Sequence, residues 1–335
     1  MKQLLKKSSI HSSKSIQYLW GDSMFQKVVV VGAGMMGSGI ASRAALAGKQ
    51  VQLVDVSIDR AHAGLERAKA CLDELAANDL CTQQAIMSAK ERLEASDALE
   101  SALVGADLVI EAIIEDLSAK QQMFERLDVL LPPEVPILSN TSGLRITDIA
   151  AHVKKHPERT MTAHFWLPAH LVPLVEIVLW ERTDAELAKR IKAELQQWGK
   201  APVIVQRDLP GQLANRILQA IIREATNIVA IGLGTAEDVD TAIKMGLGIR
   251  LPAWGPLEHI DAVGLDLALS VQDCVLPNID SSTENLYLRK LVENGELGYK
   301  SKKGVYDWNE LDMDAAVKRR NDFIIHALKK VGPKM

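Results

Sequence analysis

Lys27-Val-Val-Val-Val-Gly-Ala-Gly-Met-Met-Gly-Ser-Gly-Ile-Ala41 is the stretch on which the reading of the chain turns. Four consecutive valines, Val28 to Val31, are too few for a buried helix and read as a strand covered on both faces. Gly32, Gly34 and Gly37 follow in the spacing G-x-G-x-x-G. Gly32 permits a tight turn, Gly34 lets the backbone approach a pyrophosphate, and Gly37 lets the next helix pack closely on the strand. That helix is expected from about Met35 to Ala47. Met35 and Met36 at its start bring free N–H groups and the positive dipole end to the phosphates. A second apolar strand, Val51 to Val54, ends in Asp55, eighteen residues after Gly37, where the ribose-binding acid belongs. A lone glycine-rich turn would mean little. Strand, turn, helix, strand and acid in this order read as a dinucleotide site.

The cofactor can be narrowed. A carboxylate at Asp55 accepts both ribose hydroxyls of NAD but repels a 2′-phosphate, and Val56 and Ser57 bring no Arg to hold one. NAD is therefore favoured over NADP. FAD, which uses the same fingerprint, is the weaker alternative.

A length of 335 residues suggests two domains and a substantial core. With 47% hydrophobic and 24% charged residues, the composition is that of an ordinary globular protein. A net charge of −4 argues against a general nucleic-acid binder. No apolar run is long enough for a membrane span. Cys71, Cys81 and Cys274 form no C-x-x-C pair, and the odd count reads as incidental thiols in a reducing compartment, hence a cytoplasmic protein. No metal is called for.

Residues 1–23 differ from the rest. They are rich in Ser and Lys and lack the apolar core of a secretory signal; a mitochondrial presequence would normally carry Arg, which is absent. A poorly ordered extension is expected, with Met24-Phe25 as the natural start. Residues 24–207 then form the dinucleotide-binding domain. Helices over Asp59 to about Ala77 and Thr82 to about Arg92 make a hairpin where a simple dinucleotide fold has one helix. Asp107-Leu-Val-Ile-Glu-Ala112 and Pro136-Ile-Leu-Ser-Asn140 are further strands. The loops after them, with Glu115 and Ser142, face the ligand edge of the sheet; Lys120 falls in the helix between. Met161 to Ile177 reads as two strands and a Pro-containing turn, and Pro202 to Gln206 as one more. Beyond Arg207 the pattern is helical, giving a second domain over 208–335. The fold class is α/β: a Rossmann-type doubly wound sheet with a helical-hairpin insertion, then a smaller all-helical domain.

His164 follows one strand and Glu176 closes the next, so pairing could set them side by side. An imidazole titrating near neutrality can take a proton from a hydroxyl, and a carboxylate on its other nitrogen fixes the tautomer. Spacing alone equally allows a surface ion pair, and His170 in the turn is a competing base. Ser142 and Asn215 could hydrogen-bond an oxygen at a reacting carbon, or serve only as a turn residue and a cap.

Taken together, the glycine loop, Asp107-Leu-Val-Ile-Glu-Ala, Ser139-Asn-Thr-Ser-Gly-Leu, His164-Phe, Leu174-Val-Glu176, Leu209-Pro-Gly-Gln-Leu-Ala-Asn-Arg216, Trp254-Gly-Pro-Leu-Glu258 and Gly298-Tyr-Lys-Ser-Lys-Lys-Gly-Val-Tyr306 resemble the 3-hydroxyacyl-CoA dehydrogenase superfamily. The resemblance runs from Met24 to Trp308. It implies an NAD-dependent exchange between a 3-hydroxyl and a 3-keto group. His164 would be the general acid/base and Glu176 its orienting partner. Ser142 and Asn215 would contact the 3-oxygen, while Glu115 and Lys120 would lie near the nicotinamide. The helical domain would dimerise, giving a homodimer, and complete the substrate cleft.

The chain departs from the fatty-acyl pattern in four places. Where fatty-acyl members read His-Phe-Phe-Asn-Pro, it has His164-Phe-Trp-Leu-Pro168. The hairpin, which in those members helps hold CoA, has Arg67 and Lys69 but also Asp73, Glu74, Asn78 and Asp79, a poor cradle for phosphates. The stretch Gly246–Pro256, with Arg250, and Val172-Pro-Leu-Val-Glu176 look like those of relatives acting on small free acids, such as L-gulonate or carnitine dehydrogenases. Arg250 could clamp a substrate carboxylate through two parallel hydrogen bonds, or form a domain or subunit salt bridge. A 3-hydroxyacyl-CoA such as 3-hydroxybutyryl-CoA is thus one expected substrate and a small 3-hydroxy carboxylate the other. A non-catalytic NAD-binding structural protein, as in a lens crystallin related to gulonate dehydrogenase, is a third reading.

Overall fold

The computed structural model describes residues 25–332, so the expected extension over 1–23 lies outside the described residues. Eight strands form one sheet: β1 (Lys27–Val31), β2 (Gln50–Val54), β3 (Leu93–Ser96), β4 (Leu108–Glu111), β5 (Ile137–Ser139), β6 (Thr160–Phe165), β7 (Leu174–Val178) and β8 (Ala201–Val205). Their order is β3-β2-β1-β4-β5-β6-β7-β8, and every neighbouring pair is parallel except β6–β7. The order reverses at β1 and β4, which opens a crevice at their carboxyl ends.

The valine run shows why the sheet is buried on both sides. Val28 and Val30 enter one apolar cluster, while Val29 and Val31 enter the other, as the two-residue side-chain period requires. Helices α1 (Met35–Leu46), α2 (Ile58–Ala77) and α3 (Gln83–Glu91) pack on the first face. The second face is covered by α4 (Leu99–Leu103), α5 (Leu117–Leu130) and α6 (Ile146–Ile149). Helix α7 (Ala185–Gln197) returns to the first face through Leu187, Ala188, Ile191 and Leu195 and links β7 to β8. Each fully buried valine contributes about 1.5–2 kcal/mol relative to exposure.

The helical hairpin is α2 and α3, joined through Asn78 to Thr82, with Ser57 and Thr82 as side-chain N-caps. It forms the crossover from β2 to β3. The expected elements omitted β3, because only Leu93 of Leu-Glu-Ala-Ser is buried and pairing to β2 supplies the rest. Also unanticipated was α7, although its apolar spacing and the Asp184 cap are helical signals.

After β8 the chain is helical: α8 (Ala214–Ala230), α9 (Ala236–Ala242), α10 (Pro256–Val263), α11 (Leu265–Val275), α12 (Leu286–Glu293) and α13 (Met313–Val331). No residue of α8 to α12 is buried. Helix α13 comes back to the sheet half, where Ile325 packs with Leu75, Leu80 and Leu171. Among the described residues, no helix is long and apolar enough to cross a membrane and no acidic, His or Cys cluster could hold a metal.

Candidate active site

The glycine loop lies at the crevice between β1 and β4. Gly32 has φ +105°, and a Cβ there would run into the Ala112 carbonyl at the end of β4. A Cβ on Gly37 would overlap the Gly32 carbonyl oxygen. Around Gly34 the space is open, with nothing within 4 Å of a built Cβ. The first turn of α1, beginning at Met35 and Met36, has no side-chain cap and no acid. Its N–H groups are thus available to an anion, as a pyrophosphate requires. Met35 is largely exposed.

Asp55 follows β2 and is already well engaged. Its Oδ2 accepts from the Ala33 N–H at 2.8 Å, and Oδ1 accepts from the Val56 N–H at 2.8 Å. Arg60 Nε also sits 3.0 Å from Oδ1. The expectation that no Arg stands beside Asp55 rests on Val56 and Ser57 alone. Arg60, within the first turn of α2, was missed, although its distance from Asp55 in sequence is the signal that could have found it. Arg67 Nη2 donates to the Ala33 carbonyl at 2.6 Å, which ties α2 to the glycine loop. Open space at Gly34, a free helix terminus and a carboxylate after β2 fit a dinucleotide.

The next loops are braced by a buried ion pair. Glu111, at the end of β4, is fully buried; its Oε1 accepts from Lys120 Nζ at 2.6 Å and from the Ile113 N–H at 2.7 Å. Oε2 of the same carboxylate accepts from Ser139 Oγ at 2.7 Å. Lys120 Nζ also lies 3.4 Å from Glu115 Oε2. Glu115 Oε1 in turn accepts from the Thr141 hydroxyl (2.5 Å) and the N–H groups of Gly143 (2.9 Å) and Ser142 (3.1 Å). Burial pushes the Glu115 carboxyl up, but the Thr141, Gly143 and Lys120 donors outweigh it and hold it below its ordinary range. Glu115 and Lys120 therefore shape the turn that presents Ser142, whose side chain is exposed. Glu111 carried no expected role. An acid ending an otherwise apolar strand was the available signal, since acids are almost never fully buried unless paired.

His164 and Glu176 meet across the one antiparallel pair of the sheet. The register sets them directly opposite each other, and His164 Nδ1 is 3.0 Å from Glu176 Oε2. Glu176 is fully buried and accepts three further bonds. Trp166 Nε1 donates to the same Oε2 at 3.0 Å, while the N–H groups of Leu213 and Ala214 donate to Oε1 at 2.9 Å each. Those two N–H groups open α8, whose N-cap Leu213 has no side chain to cap it. Glu176 thus caps the first helix of the second half from a strand of the first. Burial raises its pKa, but the donors from His164, Ala214, Trp166 and Leu213 together bring it down to about 2. With Nδ1 engaged, Nε2 is the imidazole nitrogen left to face a substrate.

Asn215 lies in the first turn of α8, one residue beyond the Ala214 N–H that reaches Glu176; its Oδ1 accepts from Gln219 at 3.2 Å. No hydrogen bond joins Asn215 to Ser142 among the described residues. Gln212, buried at φ +54° just before α8, donates from Nε2 to the Thr141 carbonyl at 3.4 Å, and its Oε1 has no partner. His170 turns away from the pair: its Nε2 is 2.8 Å from Glu74 Oε2 on α2, and desolvation lowers its pKa. Arg250 is exposed on the turn before α10, and its side chain has no ion pair or hydrogen bond among the described residues.

The chain was compared with known proteins. The sequence pattern of the 3-hydroxyacyl-CoA dehydrogenase NAD binding domain matches residues 27–209, and that of the C-terminal domain of the same enzymes matches residues 211–308. A probable 3-hydroxybutyryl-CoA dehydrogenase of Bacillus subtilis is 39% identical over 287 residues, covering 85% of this chain and 98% of that protein. A 5-formyl-3-hydroxy-2-methylpyridine 4-carboxylate 5-dehydrogenase of Mesorhizobium japonicum is 33% identical over 290 residues, 84% of this chain and 91% of that one. Among solved structures, the 5-dehydrogenase of that pyridine carboxylic acid, an NAD+-dependent dismutase, superposes with TM-score 0.84 at 28% identity, over 92% of this chain and 99% of that chain. An (S)-3-hydroxybutyryl-CoA dehydrogenase of Ralstonia eutropha superposes with TM-score 0.70 at 32% identity, over 85% and 99%. Both halves are matched, in order and nearly end to end. The chain is an NAD-dependent oxidoreductase and belongs to the 3-hydroxyacyl-CoA dehydrogenase family.

Proposed function

We propose that this chain interconverts a 3-hydroxyl and a 3-keto group, with His164 as the general acid/base, on a 3-hydroxyacyl-CoA such as 3-hydroxybutyryl-CoA. The observation that carries the reading is the 3.0 Å contact of His164 Nδ1 with the buried Glu176 carboxylate. That contact orients the ring and stabilises the imidazolium formed when Nε2 takes the hydroxyl proton. When bound, the nicotinamide of NAD supplies the hydride acceptor or donor for C3. Ser142 and Asn215 would support the oxygen at that carbon as its charge changes. In the reverse direction His164 returns the proton. The likeness to the hydroxybutyryl-CoA enzyme over nearly all of that protein supports the CoA ester.

Specific observations favour a second reading, a small free carboxylate. The hairpin cations that could hold phosphates are engaged: Arg67 on the Ala33 carbonyl, Lys69 with Glu66 and Lys90 with Asp73. Arg250 has no ion pair or side-chain hydrogen bond among the described residues, and the pyridine-carboxylate enzyme superposes better than the CoA enzyme. Initial rates with 3-hydroxybutyryl-CoA against a panel of free 3-hydroxy acids, for the native enzyme and Arg250→Ala, decide between them. The CoA reading expects good turnover of the ester, untouched by Arg250→Ala. Turnover confined to free acids, with KM raised at least about tenfold in Arg250→Ala, would replace it by the second.

The exposed apolar residues of α8 to α12 support a homodimer in which a second copy covers them, since patches of that extent mark interaction surfaces.

A further inference from the structure

We propose that Trp166 is a positioning residue that sets how strongly Glu176 holds His164, and so the pH at which the pair takes or gives its proton. The inference rests on His164 being the acid/base. Its basis is the crowding at one oxygen: Glu176 Oε2 receives both His164 Nδ1 and Trp166 Nε1, each at 3.0 Å. The other oxygen is filled by two backbone N–H groups at 2.9 Å. An indole N–H is a neutral donor that neither titrates nor accepts, so it draws on the carboxylate at every pH. What it takes from Oε2 is taken from the bond to the imidazole, because the two donors share one acceptor in a buried site. The indole also lies beside the imidazole, with ring centroids 5.5 Å apart and planes tilted by 50°.

Among the described residues, the ionised groups on the neighbouring elements are held elsewhere. Apart from His164 and Glu176, β6, β7 and β8 carry no titratable side chain. On the neighbouring elements, Glu115 is held by Thr141 and Lys120, and Asp208 by Thr147. Lys200 donates to the Ala169 and Val172 carbonyls, and Arg216 to that of Pro210. The tuning donor is therefore Trp166. Without it, Glu176 interacts with the imidazole more strongly, and the protonated pair persists to higher pH.

The test compares rate–pH profiles of the native enzyme, Trp166→Phe, and a variant with 3-benzothienylalanine at 166, which keeps the bicyclic shape but has sulfur in place of the N–H. NADH affinity and His164→Ala are measured alongside. The expected result is a midpoint raised by about 0.5–1 pH unit in both position-166 variants, roughly half of the one to two units that a hydrogen bond to a charged group carries, because the imidazole feels it only through the shared carboxylate, with NADH affinity unchanged. A shift in Trp166→Phe that is absent with the sulfur isostere assigns the effect to ring packing and overturns the proposal. Unmoved profiles in both variants, while His164→Ala is inactive, overturn it and leave the acid/base reading standing. Full activity of His164→Ala removes that reading and this inference with it.

Discussion

The two halves of the molecule differ in how they satisfy their own apolar side chains. In the sheet half, Val28, Val29 and Val30 are 0% exposed and helices close both faces. In the helical half, Leu257 is 77% and Leu267 56% exposed, and α8 to α12 bury nothing fully. The first half is a finished core. The second has the sequence of a core without its closure, which is the mark of an interaction surface. Glu176 joins them, because the carboxylate that holds the imidazole also caps α8.

The contrast can be broken in four ways. Replacing His164 by Ala should lower kcat by roughly two to four orders of magnitude while NADH still binds, because the glycine loop and Asp55 stand apart from the dyad. Stopped-flow rates and fluorescence titration check this, and an undiminished kcat would return attention to His170. Next, if the proposed homodimer forms through this face, Leu257→Glu together with Leu267→Glu should weaken self-association by roughly a thousandfold, since each charge would be buried twice in a two-fold interface. Sedimentation velocity would show monomer with NADH binding intact; an unaltered assembly would mean that these leucines meet something else.

The third concerns the joint. Glu176 has its pKa depressed from 4.5 to about 2, so its contribution is complete above pH 4.5 and is lost as pH falls through that interval toward 2. The full amount is roughly 3 kcal/mol. Glu176→Gln should flatten the fall in Tm between those pH values, whereas melting curves that stay parallel to the native ones would deny the carboxylate that role. The smallest effect is at Asp55. Its removal frees Arg60 to meet a 2′-phosphate, so Asp55→Ser alone should shift the NADPH-to-NADH affinity ratio by about tenfold, and Arg60→Ala added to it should cancel the gain. A ratio that stays put in both variants would show that the guanidinium does not reach the adenosine end.

The sheet was readable where local pattern and tertiary environment agree. A valine run between a lysine and a glycine loop can only be a covered strand, and Asp55 marks the end of the next. Strand β3 was not readable, because Leu93-Glu-Ala-Ser96 becomes a strand only by pairing with β2. At the site, two strands with His164 and Glu176 could be seen, but their register depends on how the turn between them closes. Trp166 carries no assigned role in the sequence; its indole donor gains meaning only once the side chain is seen against Oε2. Glu111 and Gln212 escaped for the same reason, since each acts through a partner remote in sequence or through a backbone conformation, whereas Arg60 lies only five residues from its partner Asp55 and was within reach of the sequence. The state of α8 to α12 was half readable: amphipathic spacing gave helices, while nothing in it tells whether the apolar face meets the same chain or another.

Helix α13 has a consequence for how such chains can be recombined. It lies beyond residue 308, where the match to the family's C-terminal domain ends, yet it seats Ile325 against Leu75, Leu80 and Leu171, and Asn321 Nδ2 donates to Glu74 at 3.3 Å. The last helix therefore belongs sterically to the first half. A chimera that grafts a relative's helical half after residue 210 would strip the hairpin of this cover, whereas one that restores residues 313–331 would keep it.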